Sequence, residues 1–288
     1  MRLARLFLPL LLLLAPAAAS AKPPVWVVRD ADSTIVLFGS VHILPQGLDW
    51  RPPALDAAIG KADDLWFEVP FDDASQLGAQ RAMLAGGMMP EGQRMSDLLS
   101  PKGRKRLAAV AAEFGVPVEQ LDRLRPWLAE LTLTLAIYQK TGADGADGVE
   151  RQISASAPPA ARRMAFETPE QQIGFFANAP LKDQVASLEE TLKESEDAEG
   201  QYKALVAAWM KADVRALDRE AVQPLRKASP TLYATLVTAR NAAWTQQILQ
   251  RLHGSGHTVI VVGVGHLVGK DSVPNRLRAL GVQVDGPR

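Results

Sequence analysis

From Pro24 onward, the alternation of apolar and polar positions reads as two strands joined by a polar turn. Val25-Trp26-Val27-Val28 and Thr34-Ile35-Val36-Leu37-Phe38-Gly39 flank Arg29-Asp30-Ala31-Asp32-Ser33, which predicts a β-hairpin. Pro52-Pro53 then open a short helix to about Lys61, and Asp64-Leu65-Trp66-Phe67-Glu68-Val69 is a mostly apolar run of strand length. From about residue 75 to 178 the spacing turns helical, with helices expected over 103–114 and 119–140. Residues 141–148 (TGADGADG) form a turn-rich break, and 163–167 read as a weak strand. Thr168-Pro169-Glu170-Gln171 places an N-cap, a proline at the first helical position and Gln at the third, so a helix starts there.

Further helices are expected over 181–195, 200–211 and 230–252, the last closing at His253-Gly254, where glycine suits a left-handed cap. Thr258-Val259-Ile260-Val261-Val262 is a run of consecutive β-branched residues and predicts a central strand buried on both faces. A helix over 272–280 and a short strand over 282–284 end the chain. The expected fold class is α/β, a central mixed β-sheet with flanking helices and a large, mainly helical middle section. Residues 22–288 then form a single domain with a helical insert at about 75–253.

The first 21 residues have a different texture. Arg2 and Arg5 precede the apolar run from Leu6 to Ala15, and Ala19-Ser20-Ala21 supplies small residues before Lys22, the pattern of a signal peptide. The apolar run is shorter than the roughly 20 residues that cross a bilayer, so no integral membrane span is expected after cleavage. A periplasmic or secreted address follows. The absence of cysteine removes disulfides, a lipoprotein anchor and Cys-rich zinc sites, leaving His, Asp, Glu or backbone oxygen for any metal. With 32 Lys+Arg against 32 Asp+Glu the formal net charge is zero, which disfavours nucleic acid as a partner.

Candidate chemistry sits at the ends of the two strongest strands. Val36-Leu37-Phe38 runs into Gly39-Ser40-Val41-His42, and Ile260-Val261-Val262 runs into Gly263-Val264-Gly265-His266. In each, glycine is expected to let the chain turn sharply and keep the backbone near a bound group, while histidine projects beyond the strand's carboxyl end, where α/β sheets place ligands. Either motif alone is more often a hydrogen-bonded structural histidine. As a pair they use two of the chain's four histidines, whereas His253 and His257 fall at a helix end and in a loop and read as structural. Glu68 interrupts an apolar strand, so it needs a partner: an arginine in the bland reading, or a metal or metal-bound water in the functional one. Arg240, beside Asn241, is placed either on a solvated helix face or in the crevice supporting a developing oxyanion. Glu150 and Glu167 read as caps or surface groups before site residues.

Several stretches together resemble the TraB/PrgY/GumN family, related to the Tiki metalloproteases: LFGSVHILP from Leu37, the D-x-x-x-E-V pattern ending at Glu68-Val69, FETPEQQ from Phe166, RNAAW from Arg240 and VVGVGHLVG from Val261. The resemblance spans nearly all of the chain after the signal segment. It implies a divalent-metal-dependent hydrolase fold shared with erythromycin-esterase-like and ChaN-like proteins, with His42, His266 and Glu68 lining the site and Arg240 as helper. Glu150 stands in GVE where an aspartate is more usual.

The expectation is therefore an exported metal-dependent hydrolase, a peptidase or other acyl hydrolase. His42, His266 and Glu68 hold one divalent ion (Zn, Mn, Co or Fe), and Glu68 and Arg240 are catalytic; whether Glu68 is ligand or base stays open. Two alternatives stand beside it: a periplasmic protein that binds or sequesters a metal, haem or peptide without turnover, and a cell-envelope polysaccharide assembly factor.

Overall fold

The computed structural model describes residues 22–45, 47–140, 142–144 and 148–288, so the expected signal segment lies outside the described residues. β1 (Val25–Arg29) and β2 (Ser33–Ser40) form the expected hairpin, paired antiparallel from Val25 opposite Phe38 to Arg29 opposite Thr34. β3 (Leu44–Pro45), α1 (Pro53–Ile59) and β4 (Asp64–Phe67) follow. The helical middle comprises α2 (Asp73–Gly87), α3 (Pro101–Phe114), α4 (Val118–Leu121) and α5 (Pro126–Lys140), then β5 (Ala143–Asp144), α6 (Val149–Ser156) and β6 (Arg162–Ala165). α7 (Pro169–Ala177), α8 (Leu181–Glu194), α9 (Ala198–Met210), α10 (Val214–Leu217), α11 (Gln223–Ala228), α12 (Pro230–Tyr233) and α13 (Arg240–Leu252) lead to β7 (Gly256–Gly263). α14 (Val273–Ala279) and β8 (Val284–Asp285) close the chain.

The main sheet has the order β6-β4-β7-β2-β1-β8. The four strands β6, β4, β7 and β2 run parallel, and antiparallel β1 makes the sheet mixed. The fold is α/β, as the alternation of patterns predicts. β7 lies between β4 and β2, and its Val259, Ile260, Val261 and Val262 are all buried, which is why that stretch shows no polar alternation. Phe38, Trp50 and Trp209 pack together on one side with ring centroids 5.6 to 6.0 Å apart, while Phe166 stacks on Trp244 at 4.9 Å. Met95, Leu107, Leu121, Leu133, Leu188 and Leu192 belong to a second apolar cluster, confined to the helical middle.

Several expectations need correction. The helix expected over 119–140 is two, because the segment before Pro126 is drawn into backbone pairing: Met89 N–H donates to Arg123 O and Arg125 N–H to Gly87 O. The 230–252 stretch is helical throughout but widens to π geometry over Ala234–Ala239, directly before Arg240. The left-handed glycine after α13 is Gly256 (φ 96°), the first residue of β7, while His253 closes the helix in ordinary right-handed geometry.

The two motif glycines also differ from expectation. Neither Gly39 nor Gly263 has a positive φ; both remain in their strands. What they supply is closeness. A Cβ on Gly39 would stand 2.9 Å from Val264 Cγ2 and 3.0 Å from Val264 Cα, so β2 and the turn after β7 touch through it. Gly39→Ala is expected to cost about 1–3 kcal/mol by overpacking, lowering the melting temperature by about 2–8 °C. Gly60→Ala, whose added Cβ meets nothing nearer than 3.5 Å at a right-handed helix cap, is the control and should melt at or above the parent temperature. Equal melting temperatures for Gly39→Ala and the parent would contradict this packing.

Candidate functional site

Each of the four parallel strands delivers polar groups at its carboxyl end. β2 gives Ser40 and, two residues on, His42; β7 ends at Gly263 and leads through a short turn to His266; β4 is followed by Glu68 and β6 by Glu167. The register explains the convergence: Ser40 lies opposite Gly263 in the parallel β2–β7 pair, so the two Gly-x-x-His motifs leave the sheet side by side. Pairing between β4 and β6 continues one step beyond the strands, with Glu167 N–H donating to Glu68 O at 3.0 Å.

Glu68 is nearly buried, 12% of its side chain exposed. Its Oε1 accepts from Gly263 N–H at 2.7 Å, and its Oε2 from Arg240 Nη2 at 2.7 Å and Gln172 Nε2 at 2.9 Å. Arg240 enters from α13 and is 6% exposed. Its Nε and Nη2 form a fork on Glu167 at 2.8 and 2.9 Å, its Nη1 reaches Leu236 O at 3.2 Å, and the same Nη1 stands 3.1 Å from His266 Nε2. The guanidinium carbon lies 4.7 Å from the Trp244 ring centroid. Trp244 Nε1 also donates to Glu167 at 2.9 Å.

The two histidines are held through the same ring atom. His266 Nδ1 is 2.6 Å from Asn241 Oδ1, and Asn241 Nδ2 in turn donates to Asp271 O at 2.9 Å, which fixes the amide and makes its oxygen the acceptor. His266 therefore carries its proton on Nδ1 and offers the Nε2 lone pair to Arg240. His42 Nδ1 is 2.6 Å from Glu150 Oε1, and the Ser40 hydroxyl donates to that same oxygen. Its Nε2 points across the strand ends: a Cβ on Gly263 would be 3.4 Å from it and 3.1 Å from Glu68 Oε1. Gly263 leaves open the space between the first histidine and the glutamate.

Burial and neighbours set the charges. Burial pushes the Glu68 carboxyl up, and the positive groups around it together with the Gly263 N–H more than reverse this, to about 2. Burial pulls His266 down to about 4 against the pull of Glu68, so its ring is neutral at neutral pH. With His266 neutral, Arg240 and the raised His42 are the positive groups that keep Glu68 ionised at neutral pH. The Glu150 carboxylate raises His42, although 65% of that side chain is open to solvent, which screens the pair.

The structure thus brings His42, His266, Glu68 and Arg240 to one edge, and it adds groups read from the sequence as peripheral. Glu150 and Glu167 are neither caps nor surface carboxylates: Glu150 is 6% exposed and Glu167 has 8% of its side chain exposed. Each of the five N–H groups of Arg240 has a protein partner, so its role as arranged is to bind Glu68, Glu167 and His266 together. Gln172, one turn into α7, was missed altogether. Two imidazoles anchored through Nδ1 and a carboxylate are the donor types a divalent ion takes, and the Nδ1 anchors resemble those that orient metal-bound histidines. Among the described residues, however, no three His, Asp or Glu side chains are grouped closely enough to share an ion as they stand, and Arg240 occupies the His266 lone pair.

These features define an α/β protein with a cluster of charged and imidazole groups at the carboxyl ends of its parallel strands, the usual ligand position in such sheets. Residues 24–286, nearly the whole chain, match the family model described as TraB/PrgY/gumN family, and the chain belongs to that family. Searches of curated proteins and of solved structures return no match.

The buried neutral His266 implies acid sensitivity with a definite sign. The folded protein resists a proton that the unfolded chain takes near 6.5, so this stability is fully present above about 6.5 and is lost as pH falls toward about 4. Glu68 adds a second loss as pH falls from about 4.5 toward 2. In the metal-free protein, the difference in unfolding free energy between pH 7 and 4.5 should be smaller in His266→Gln than in the parent, by roughly 2–3 kcal/mol. Equal acid losses in denaturant titrations of the two proteins would mean that His266 is not held neutral.

Proposed function

We propose that this protein is an exported hydrolase of peptides or other acyl compounds, with a centre built on His42, His266 and Glu68 around one divalent ion. The observation that carries this reading is the convergence at one sheet edge of two imidazoles, each bound through Nδ1, beside an ionised carboxylate. With both Nδ1 atoms anchored, Nε2 of each ring and Oε1 of Glu68 are the atoms that would serve an ion, that of His266 once Arg240 releases it. Zinc, manganese, cobalt and iron all accept such donors. When bound, the ion would polarise an acyl carbonyl and lower the pKa of a water.

The chain's own residues have separable tasks. Glu68, anchored by three N–H donors and ionised, suits a fixed ligand better than a general base, because those bonds stabilise the charge and weaken its proton affinity. His266 Nε2 serves an ion only once Arg240 gives up that lone pair, while the fork on Glu167 can keep the guanidinium at the strand ends. The Gly263 N–H is already satisfied by Glu68 and so holds the glutamate in place. Export rests on the first 21 residues, and we place the mature chain in the periplasm or medium. No described helix is long and apolar enough to cross a membrane.

The test uses the mature chain, stripped of metal and refilled with single ions, with bound metal counted and a peptide library screened for cleavage. The expected result is one ion per chain and hydrolysis that falls by about 10³-fold or more in His42→Ala and His266→Ala. Stoichiometric metal binding without turnover on any peptide or ester would overturn the hydrolase and favour a sequestering protein. Full biological activity in His42→Ala and Glu68→Gln would instead favour an assembly role in the cell envelope.

A further inference from the structure

Glu150 has no task in the hydrolase reading, yet its placement is demanding. It sits in the first turn of α6, is 6% exposed, and uses a single oxygen, Oε1, to accept from both the Ser40 hydroxyl and His42 Nδ1. Burying a carboxylate with no arginine or lysine bonded to it is costly unless its hydrogen bonds are well made. Packing gives no reason for the arrangement, since an apolar residue would fill the same place at less cost.

The contrast with His266 shows what Glu150 does. His266 lies against Trp244, with ring centroids 4.4 Å apart, and is nearly buried, so its surroundings confine the ring. His42 is on a loop with 65% of its side chain exposed and has no ring neighbour among the described residues. The Nδ1 bond to Glu150 is thus its main restraint, and Ser40, in register with Gly263 at the end of β2, seats the Glu150 oxygen. Which imidazole nitrogen keeps its proton depends on the bond the other makes. In the neutral ring, binding Nδ1–H leaves Nε2 as the lone pair, on the side where a Gly263 Cβ would approach both it and Glu68 Oε1.

The chain path supports this coupling. Leu44, two residues after His42, pairs with Asp144 in the small β3–β5 sheet, and α6 begins five residues beyond Asp144. The same stretch of the helical middle therefore grips the His42 loop twice, by backbone pairing and by Glu150. Tyr202 from α9 adds a third hold, donating to Ile43 O at 3.1 Å.

We propose that Glu150, seated by Ser40, is a positioning residue that fixes the tautomer and rotation of His42, so that the helical insert, not the sheet, sets one half of the site. This rests on the hydrolase reading only in treating Nε2 as the working atom; the tautomer itself is independent of it.

Two measurements test the proposal. Long-range ¹H–¹⁵N spectra of the metal-free chain, taken where His42 is deprotonated, should show its proton on Nδ1 in the parent and in Glu150→Gln, whose amide oxygen accepts the same bond. In Glu150→Ala the proton should move largely to Nε2, and in Ser40→Ala the two forms should mix. Cobalt titrations should show affinity weakened about 10–100-fold in Glu150→Ala and much less in Glu150→Gln. An unchanged His42 ring pattern in Glu150→Ala, or in Ser40→Ala should the former not fold, overturns the proposal. If the parent binds no cobalt, the metal reading fails, and the ring spectra alone still decide the role of Glu150.

Discussion

A guanidinium buried between two carboxylates holds the strand ends of this protein in place. Arg240 is 6% exposed and reaches Glu68 after β4, Glu167 after β6 and His266 after β7, so one side chain from α13 ties three adjacent strands. Neither acid is tolerable there alone, because an unpaired buried carboxylate is costly, and removing one member of such a cluster strands the others. The bidentate fork on Glu167 needs the planar, always charged arginine; a lysine would supply one charge and no second parallel bond. The π-helical stretch Ala234–Ala239 ends directly before Arg240, and Leu236 O within it accepts from the guanidinium, so the widened turn is part of the same support.

Parallel pairing does the rest. Because β2 and β7 are hydrogen-bonded neighbours in strict register from Ser33 opposite Gly256 to Ser40 opposite Gly263, similar motifs at their ends must emerge together. The histidines are not equivalent, however. His42 follows β2 on an open loop, while His266 comes one residue later after its glycine-ended strand than a repeat would need for symmetry about the pair, and it turns back under Trp244. One ring ends exposed beside an acid and the other buried, neutral and beside a cation. Two like motifs therefore give two unlike imidazoles.

This division explains how much the sequence reveals. The strand-Gly-x-x-His pairs, the isolated Glu68 and the capping box at Thr168 are legible because strand periodicity, an acid inside an apolar run and a cap each have a local signature. Glu167 carries the same signal as Glu68, a carboxylate at a strand's carboxyl end, but Arg162 and Arg163 make β6 an exposed edge strand and mask it. Glu150 had no local signal at all: its partners are more than 100 positions earlier, and tertiary pairing such as β3–β5 brings them together. The division of 119–140 into two helices and the widened turn before Arg240 likewise depend on contacts that no periodicity encodes.

The helical middle is consequently more than a cover over a finished sheet. It contributes Glu150 from α6 and Gln172 from α7, while α13 contributes Arg240 and Asn241, so each charged or imidazole group at the sheet edge is held by a side chain from a helix. A sheet alone sends its side chains alternately to its two faces and has little means of gripping what lies past its ends. Helices that return across that edge do have it. The second apolar cluster, built from α3, α5 and α8 with their connecting segments, gives those helices packing of their own. Positioning groups carried on α6, α7 and α13 can move relative to the strand ends only at the cost of buried hydrogen bonds, which keeps the site ordered even where His42 faces solvent.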